Sequence, residues 1–281
     1  MNNLRQETKI IHCSTQSSSG TIMNADENYK SIVQYTTDLN FDEDDIEMVQ
    51  FSVPYAVIPC SFYNVDYHNN QLDIIKDGVA SSHVFPSGNY YQSTFISTFK
   101  SLLPNFGITL NQTTQCFTIT NSTHSFSLIG TSTIDFVMGF SDTLESSLVS
   151  SVNTIVMPRI CNFFQLPRVN MKCHQFANSQ LLGRGQTSND VIISIPNDAP
   201  LNGKINYKNI GNLTTPLDIK HVQSFTIMFC DDNENHINFN GVSSYFGLQF
   251  DIYRKPRELN RMKIRDLFNQ LNRIYPDDEE K

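Results

Sequence analysis

The chain contains no tryptophan, and only 17% of its 281 residues are charged. Its six cysteines, at 13, 60, 116, 161, 173 and 230, form no CxxC pair, so zinc ribbons, fingers and thioredoxin-type redox sites lack their ligand spacing. No stretch approaches the roughly 20 apolar residues that span a bilayer, and the opening MNNLRQETKIIHC lacks the apolar run of a signal peptide. The expectation is a soluble chain made in a reducing compartment, with free and mostly buried thiols and no membrane span. There is no G-x-S-x-G, and Gly183-Arg-Gly185 lacks the GK[ST] ending of a phosphate loop.

What is present is 39% hydrophobic residues, 20 Phe, and abundant Asn, Ser and Thr. Polarity therefore comes from neutral side chains, which favour turns and exposed strand faces over helix interiors. Three Asn-x-Ser/Thr sequons begin at Asn111, Asn121 and Asn212, a number that a chain this rich in Asn and Thr produces by chance.

Alternation dominates the pattern. Val33, Tyr35, Leu39 and Phe41 predict a half-buried strand, closed by the acidic turn Asp42–Asp45. Val49, Phe51, Val53, Tyr55 and Val57 predict another, in which Pro54 and Pro59 point to an edge or a bulge. Further strands are expected at 71–75, 107–110, 116–120, 125–129, 133–140, 163–169, 191–195, 204–207, 225–229 and 245–253. One internal helix is expected, with Phe95, Ile96, Phe99, Leu102 and Leu103 on its apolar face, Ser93 as its cap and Pro104 ending it. With no βαβ rhythm, a nucleotide-binding α/β fold is not expected.

The charge is unevenly placed. Between Arg254 and Arg273 seven basic residues face two acidic ones, while residues 277–281 are net acidic and the rest of the chain carries the remaining negative charge of a −8 total. Pro256 can open a helix in which Ile264, Leu267, Phe268, Leu271 and Ile274 form a stripe until Pro276, with an Arg/Lys-rich opposite face. Arg257, Arg261, Ile264, Arg265, Leu267, Phe268, Leu271 and Arg273 are the candidate contacts to a neighbouring subunit or another partner.

Catalysis finds little support. The seven histidines, at 12, 68, 83, 124, 174, 221 and 236, are scattered over different predicted loops and strands. Cys173-His174 is the only adjacent pair of good metal ligands, and neighbours on a strand point to opposite faces. The acidic clusters at 42–47 and 231–234 lack the Gly and terminal Glu of an EF-hand loop. No catalytic residue, metal ligand or cofactor is assigned.

Particular phrases then gain weight: Val57-Ile-Pro-Cys-Ser-Phe-Tyr-Asn-Val65, Phe85-Pro-Ser-Gly-Asn-Tyr90 followed by the helix, and Phe136-Val-Met-Gly-Phe140 in the first half. In the second half they are Asn189–Ile195, Phe225–Asp232 and His236-Ile-Asn-Phe-Asn-Gly241, leading into Tyr245–Tyr253. In this order, over most of the chain, they resemble the minor capsid, or penton, proteins of virophages, polinton-like viruses and related large double-stranded DNA viruses. The chain departs from that pattern at Met138, where Leu often precedes the Gly, and at Ser244-Tyr-Phe, where a Trp is expected.

The resemblance implies a mainly β fold: a jelly-roll β-sandwich with an inserted or second β-rich lobe, one short internal helix and a C-terminal amphipathic helix. The expected division is a flexible N-terminal arm at 1–29, a first β lobe at 30–145 with its helix near 93–103, a second β lobe at 146–256, and a basic amphipathic helix with an acidic tail at 257–281. The alternative is a single jelly roll interrupted by an insertion near 70–155. The resemblance further implies a non-enzymatic virion protein that forms homopentamers at icosahedral vertices, made in the host cytoplasm or a virus factory. Its implied partners are itself, the major capsid protein, and other minor capsid proteins or the genome through the basic helix. A virion receptor- or glycan-binding sandwich is the rival reading, and a Cys- or metal-dependent hydrolase a distant third.

Overall fold

The structure, a computed structural model, describes residues 5–26, 29–140, 147–149, 153–164, 166–176, 190–200 and 202–255. The segment 257–281, with all eight candidate contact residues, and Gly183–Gly185 lie outside the described residues.

The chain begins with β1 (Arg5–Ser14), β2 (Thr21–Ile22), β3 (Ile32–Asn40), β4 (Ile46–Ser52) and β5 (Tyr55–Pro59). A middle stretch follows with β6 (Gln71–Lys76), β7 (Val79–Val84), α1 (Gln92–Leu102), β8 (Phe106–Leu110), β9 (Phe117–Asn121), β10 (Phe126–Ile129), α2 (Asp135–Met138), β11 (Ser147–Val149) and β12 (Thr154–Val156). Then come β13 (Arg168–Lys172), β14 (Val191–Pro196), β15 (Lys204–Lys208), β16 (Thr215–Leu217), β17 (His221–Cys230) and β18 (Tyr245–Arg254).

Two sheets are built from the outer parts of the chain. In the first, β1 pairs with β18 along its whole length, from Arg5 opposite Arg254 to Ser14 opposite Tyr245. Along the other edge of β18 run β5, with Ala56 opposite Phe246, and β4, with Ser52 opposite Gln249. These two are one strand interrupted by a bulge at Val53-Pro54, where proline's missing N–H removes nothing the sheet needs. Next, β15 pairs with β5 and β16 with β4, again as one interrupted strand. The second sheet has the order β14-β13-β17-β3-β2. With each interrupted strand counted once, and short β2 aside, consecutive strands alternate between two four-stranded sheets, except that β13 and β14 are neighbours in the second, which is the order of a jelly roll.

The face between these sheets is filled with aromatic rings. Tyr35 stacks on Phe225 at 5.2 Å and Phe51 on Phe176 at 5.1 Å, while Phe176 meets Phe250 edge-on at 5.3 Å. Each fully buried Phe removes enough apolar surface from water to contribute about 1.5–3 kcal/mol.

The middle stretch has a core of its own, running from Val65 to Cys161. It lies among the sheets β11-β10-β6-β7 and β12-β9-β8 and the helix α1. Phe95 and Phe99 of α1 are fully buried, and Phe85 lies parallel to Phe95 at 4.9 Å. The helix cap is Tyr91 rather than the expected Ser93: the Thr94 hydroxyl accepts the Tyr91 N–H at 2.9 Å.

Two further departures from the sequence pattern have clear causes. The strand expected over 133–140 is instead the helical turn α2, because Gly139 at φ 92° closes it in the left-handed region. A Cβ at Gly139 would meet the Arg159 carbonyl oxygen, so only glycine fits there. The segment 5–14, expected as part of an arm that orders when something docks it, is docked by β18 of its own chain.

Candidate functional site

Among the described residues most groups with catalytic potential are kept apart or paired on the surface, while Cys230 Sγ, buried, lies 3.5 Å from His236 Nδ1. Cys173 is fully buried, and burial pushes its thiol up to about 12, while the neighbouring His174 is exposed and pairs with Asp190 at 3.0 Å. The buried thiols of Cys13 and Cys230 are pushed up to about 12 and about 11 by the same loss of solvent. His124 and His221 pair with Asp77 and Asp38 on the surface, and among the described residues no three His, Cys, Asp or Glu side chains gather as metal ligands.

Both acidic clusters have internal partners. At the end of β18 the Arg254 guanidinium binds Glu43, Asp45 at 2.6 Å and Glu7 at 3.2 Å, tying the β3–β4 turn and β1 to the last strand. This contact holds the Glu43 carboxyl below its ordinary value. Around the other cluster, Asp231 accepts the backbone N–H groups of Asn233 and Asn235, both at 2.8 Å. There Glu234 pairs with the buried Lys172 at 3.0 Å, and Asp232 with Arg168.

The most elaborate polar assembly lies where the two cores meet. Asn64 donates through Nδ2 to the carbonyls of Tyr90 at 2.8 Å and Phe163 at 3.0 Å, and its Oδ1 accepts the Tyr90 N–H at 2.8 Å. Val65 and Gly88 form a β-bridge beside it. Ser61 donates to the Phe239 carbonyl at 2.7 Å, and Asn240 donates to the Ser61 carbonyl at 2.6 Å. On the exit side, Asn197 donates to the Leu166 carbonyl at 2.9 Å. The phrases 57–65, 85–90 and 236–241, far apart in sequence, are thus knitted into one neck.

A cavity of about 430 Å³ opens beside this neck, with Tyr91, Phe163, Phe164 and Pro167 among its walls. Tyr91 and Phe164 are 62% and 83% exposed. Asn64 and Asn197 in its wall are committed to backbone groups of the neck. Of the sequons, Asn121 is buried at 2% exposure, where no glycan can be attached, and Asn111 caps its own turn through the N–H groups of Thr113 and Thr114.

No protein-family model matches the chain, and no curated relative matches it. Among solved structures, the mavirus penton protein superposes over 88% of this chain and 100% of its own, at 12% identity and a TM-score of 0.44. The chain is similar to a virophage penton protein. A chain of the Sputnik virophage structure superposes over 90% of this chain and 98% of its own, at 10% identity and a TM-score of 0.38. At these identities no residue's role is carried across. Among the described residues no helix is long and apolar enough to cross a membrane.

The neck was not legible as a site. Asn64 and Asn240 sit in the phrases that carry the family resemblance, but only the fold brings them to Tyr90 and Ser61.

Proposed function

We propose that this protein is a structural virion subunit of the penton type, which assembles as a homopentamer at icosahedral vertices. The supporting observation is the neck: the phrases that resemble penton proteins build the joint between a jelly roll and a second core. On this reading residues 5–59 and 168–254 are one jelly roll, and 60–167 are an insertion between its strands β5 and β13.

Sandwich subunits standing side by side bury their flanks, and cyclic symmetry closes the set at five without filament growth. Low charge suits that packing, since neutral Asn, Ser and Thr flanks approach copies of themselves without unpaired buried charges. The partners on this reading are other copies of the chain and the major capsid protein. The place of action is the capsid vertex, after synthesis in the host cytoplasm or a virus factory. The protein is not an enzyme on this reading.

The basic segment 257–275 is the proposed contact to the particle interior or an adjacent capsomer, including other minor capsid proteins or the genome. Its stripe Ile264, Leu267, Phe268 and Leu271 would dock while Arg257, Arg261, Arg265 and Arg273 meet acidic groups. In the register of the first sheet, β18 runs from Tyr245 beside Val57 to Arg254 beside Ile46. β18 therefore ends at Arg254 on the side of the sandwich opposite the neck, which suits contacts to separate partners.

Native mass spectrometry of the purified chain tests the assembly: the expected species is about 160 kDa, five times 32.0 kDa. A monomer or trimer that also fails to pentamerise with the major capsid protein overturns the reading.

A further inference from the structure

One sheet of the middle stretch ends in an open strand. In the order β11-β10-β6-β7, the strand β7 lies at the end and pairs only with β6. The hairpin joining the two is fixed at its tip: Asp77 and Gly78 take φ values of 52° and 78°, as a type I′ turn requires, and His124 Nδ1 holds the Asp77 carboxylate at 2.7 Å.

The register shows which backbone groups face outward. The Phe85 N–H donates to the Asn70 carbonyl at 2.8 Å, and hydrogen-bonded pairs alternate along an antiparallel ladder. The bonded pairs are therefore 83 with 72, 81 with 74 and 79 with 76, in a register without a bulge. The N–H and C=O groups of Ala80, Ser82 and Val84 point away from β6, and among the described residues no hydrogen bond reaches them.

Open edges are commonly blunted by charge, proline or a bulge. Here β1 carries Arg5, Glu7 and Lys9, β15 carries Lys204 and Lys208, and β16 carries Pro216. The strand β7 has none of these. It reads Val-Ala-Ser-Ser-His-Val, with Val79 and Val84 69% and 57% exposed. It also overhangs the core, since Ser81 is exposed although its partner Ile74 is buried.

The outward groups are centred on Ser82. Laid antiparallel against a second β7, this edge sets Ser82 opposite Ser82 and Ala80 opposite Val84, so all six outward N–H groups of the two strands find carbonyls. No residue of 79–84 is acidic or carries the permanent charge of Lys or Arg, so like charges of that kind do not meet across the pair.

We propose that β7 is a self-pairing edge, through which two copies of this chain join their four-stranded sheets into one of eight strands across a two-fold axis. A two-fold contact does not lie within a five-fold ring, so on the penton reading it joins copies in separate rings. Six residues a side is far fewer than the roughly 20–30 of a stable interface. The contact is therefore weak between single chains and gains strength where several edges engage together.

Sedimentation velocity of the full chain over about 1–100 μM tests the pairing. The expected result is a reversible doubling of mass as concentration rises, lost in Ser82→Pro, which removes the central outward N–H and leaves the hydrogen bonds to β6 in place. No doubling in the natural chain, or the same doubling in Ser82→Pro, overturns the proposal. If the variant does not fold, hydrogen exchange resolved to single residues decides in the natural chain: protection at Ala80, Ser82 and Val84 should rise with concentration, and constant exchange there overturns the pairing. Whether the unit that doubles is one chain or five bears only on the pentamer, so the two readings fail separately.

Discussion

The ring of Tyr55 lies flat over Gly247 of the neighbouring strand, close enough that a Cβ on that glycine would meet Cε1 at 2.6 Å. From there the Tyr55 hydroxyl reaches His12 Nδ1 on β1 at 2.7 Å, so one side chain crosses β18 and joins the strands on both of its sides. Glycine is required here for space, since its φ is not in the left-handed region. Gly247→Ala must displace the ring and break the His12 contact. The expected loss is about 1–3 kcal/mol of stability, read from urea denaturation; an unchanged midpoint counts against the role of the ring.

Asn64 makes three of the neck's hydrogen bonds. Asn64→Ala leaves the Tyr90 N–H and two carbonyls without their partner, at about 1 kcal/mol net for each bond. Limited proteolysis should then cleave near residues 60–66 in the variant well before the natural chain, while Asn64→Asp, which loses the two donated bonds, falls between them.

Phe95 is in ring contact with Phe85, Tyr90, Phe117 and Phe163. Phe95→Ala should cost about 3–5 kcal/mol through the cavity left behind. Exchange protection should fall across residues 65–161 more than across β17 and β18, since Phe95 and its ring partners belong to the core of the middle stretch and not to that of the two outer sheets.

Arg254 lowers the Glu43 pKa, chiefly through its hydrogen bond. A carboxyl whose folded pKa is depressed stabilises the fold above its unfolded value, here 4.5, and loses that contribution as pH falls through the lower folded value. The melting-temperature gap between the natural chain and Arg254→Gln should therefore be widest above pH 4.5 and narrow below it. A gap independent of pH would rule out this linkage.

Deletion of 256–281 leaves Arg254 and its three carboxylates in place, so the truncated chain should melt near the natural temperature. If the basic segment carries the assembly contact, the same truncation should fail to enter particles; normal particles would remove Arg257, Arg261 and their neighbours from that role.

Much of the fold was legible where a strand alternates. Val33 to Phe41 and Phe246 to Ile252 announce their buried faces in sequence, and both are strands in the two-sheet core. By contrast, β7 reads Val-Ala-Ser-Ser-His-Val, and it is exposed on nearly all sides, so no apolar period marks it. β1 is similarly unmarked, because most of its side chains face solvent and its pairing with β18 runs through backbone groups. The neck escaped for another reason: an Asn that holds two segments together looks in sequence like any Asn in a turn.

Local pattern determined that this chain is mainly β, with one internal helix on a Phe stripe, because alternation and helical spacing are properties of residues adjacent in sequence. Which strands pair was decided only in three dimensions. Arg5 finds Arg254, and Lys204 finds Pro59, because two sheets must close on one aromatic core while the intervening residues fold around another. The same closure brings Asn64 to Tyr90 and Phe163, since a contact between distant residues depends on the whole path of the chain and leaves no trace in the neighbours of either.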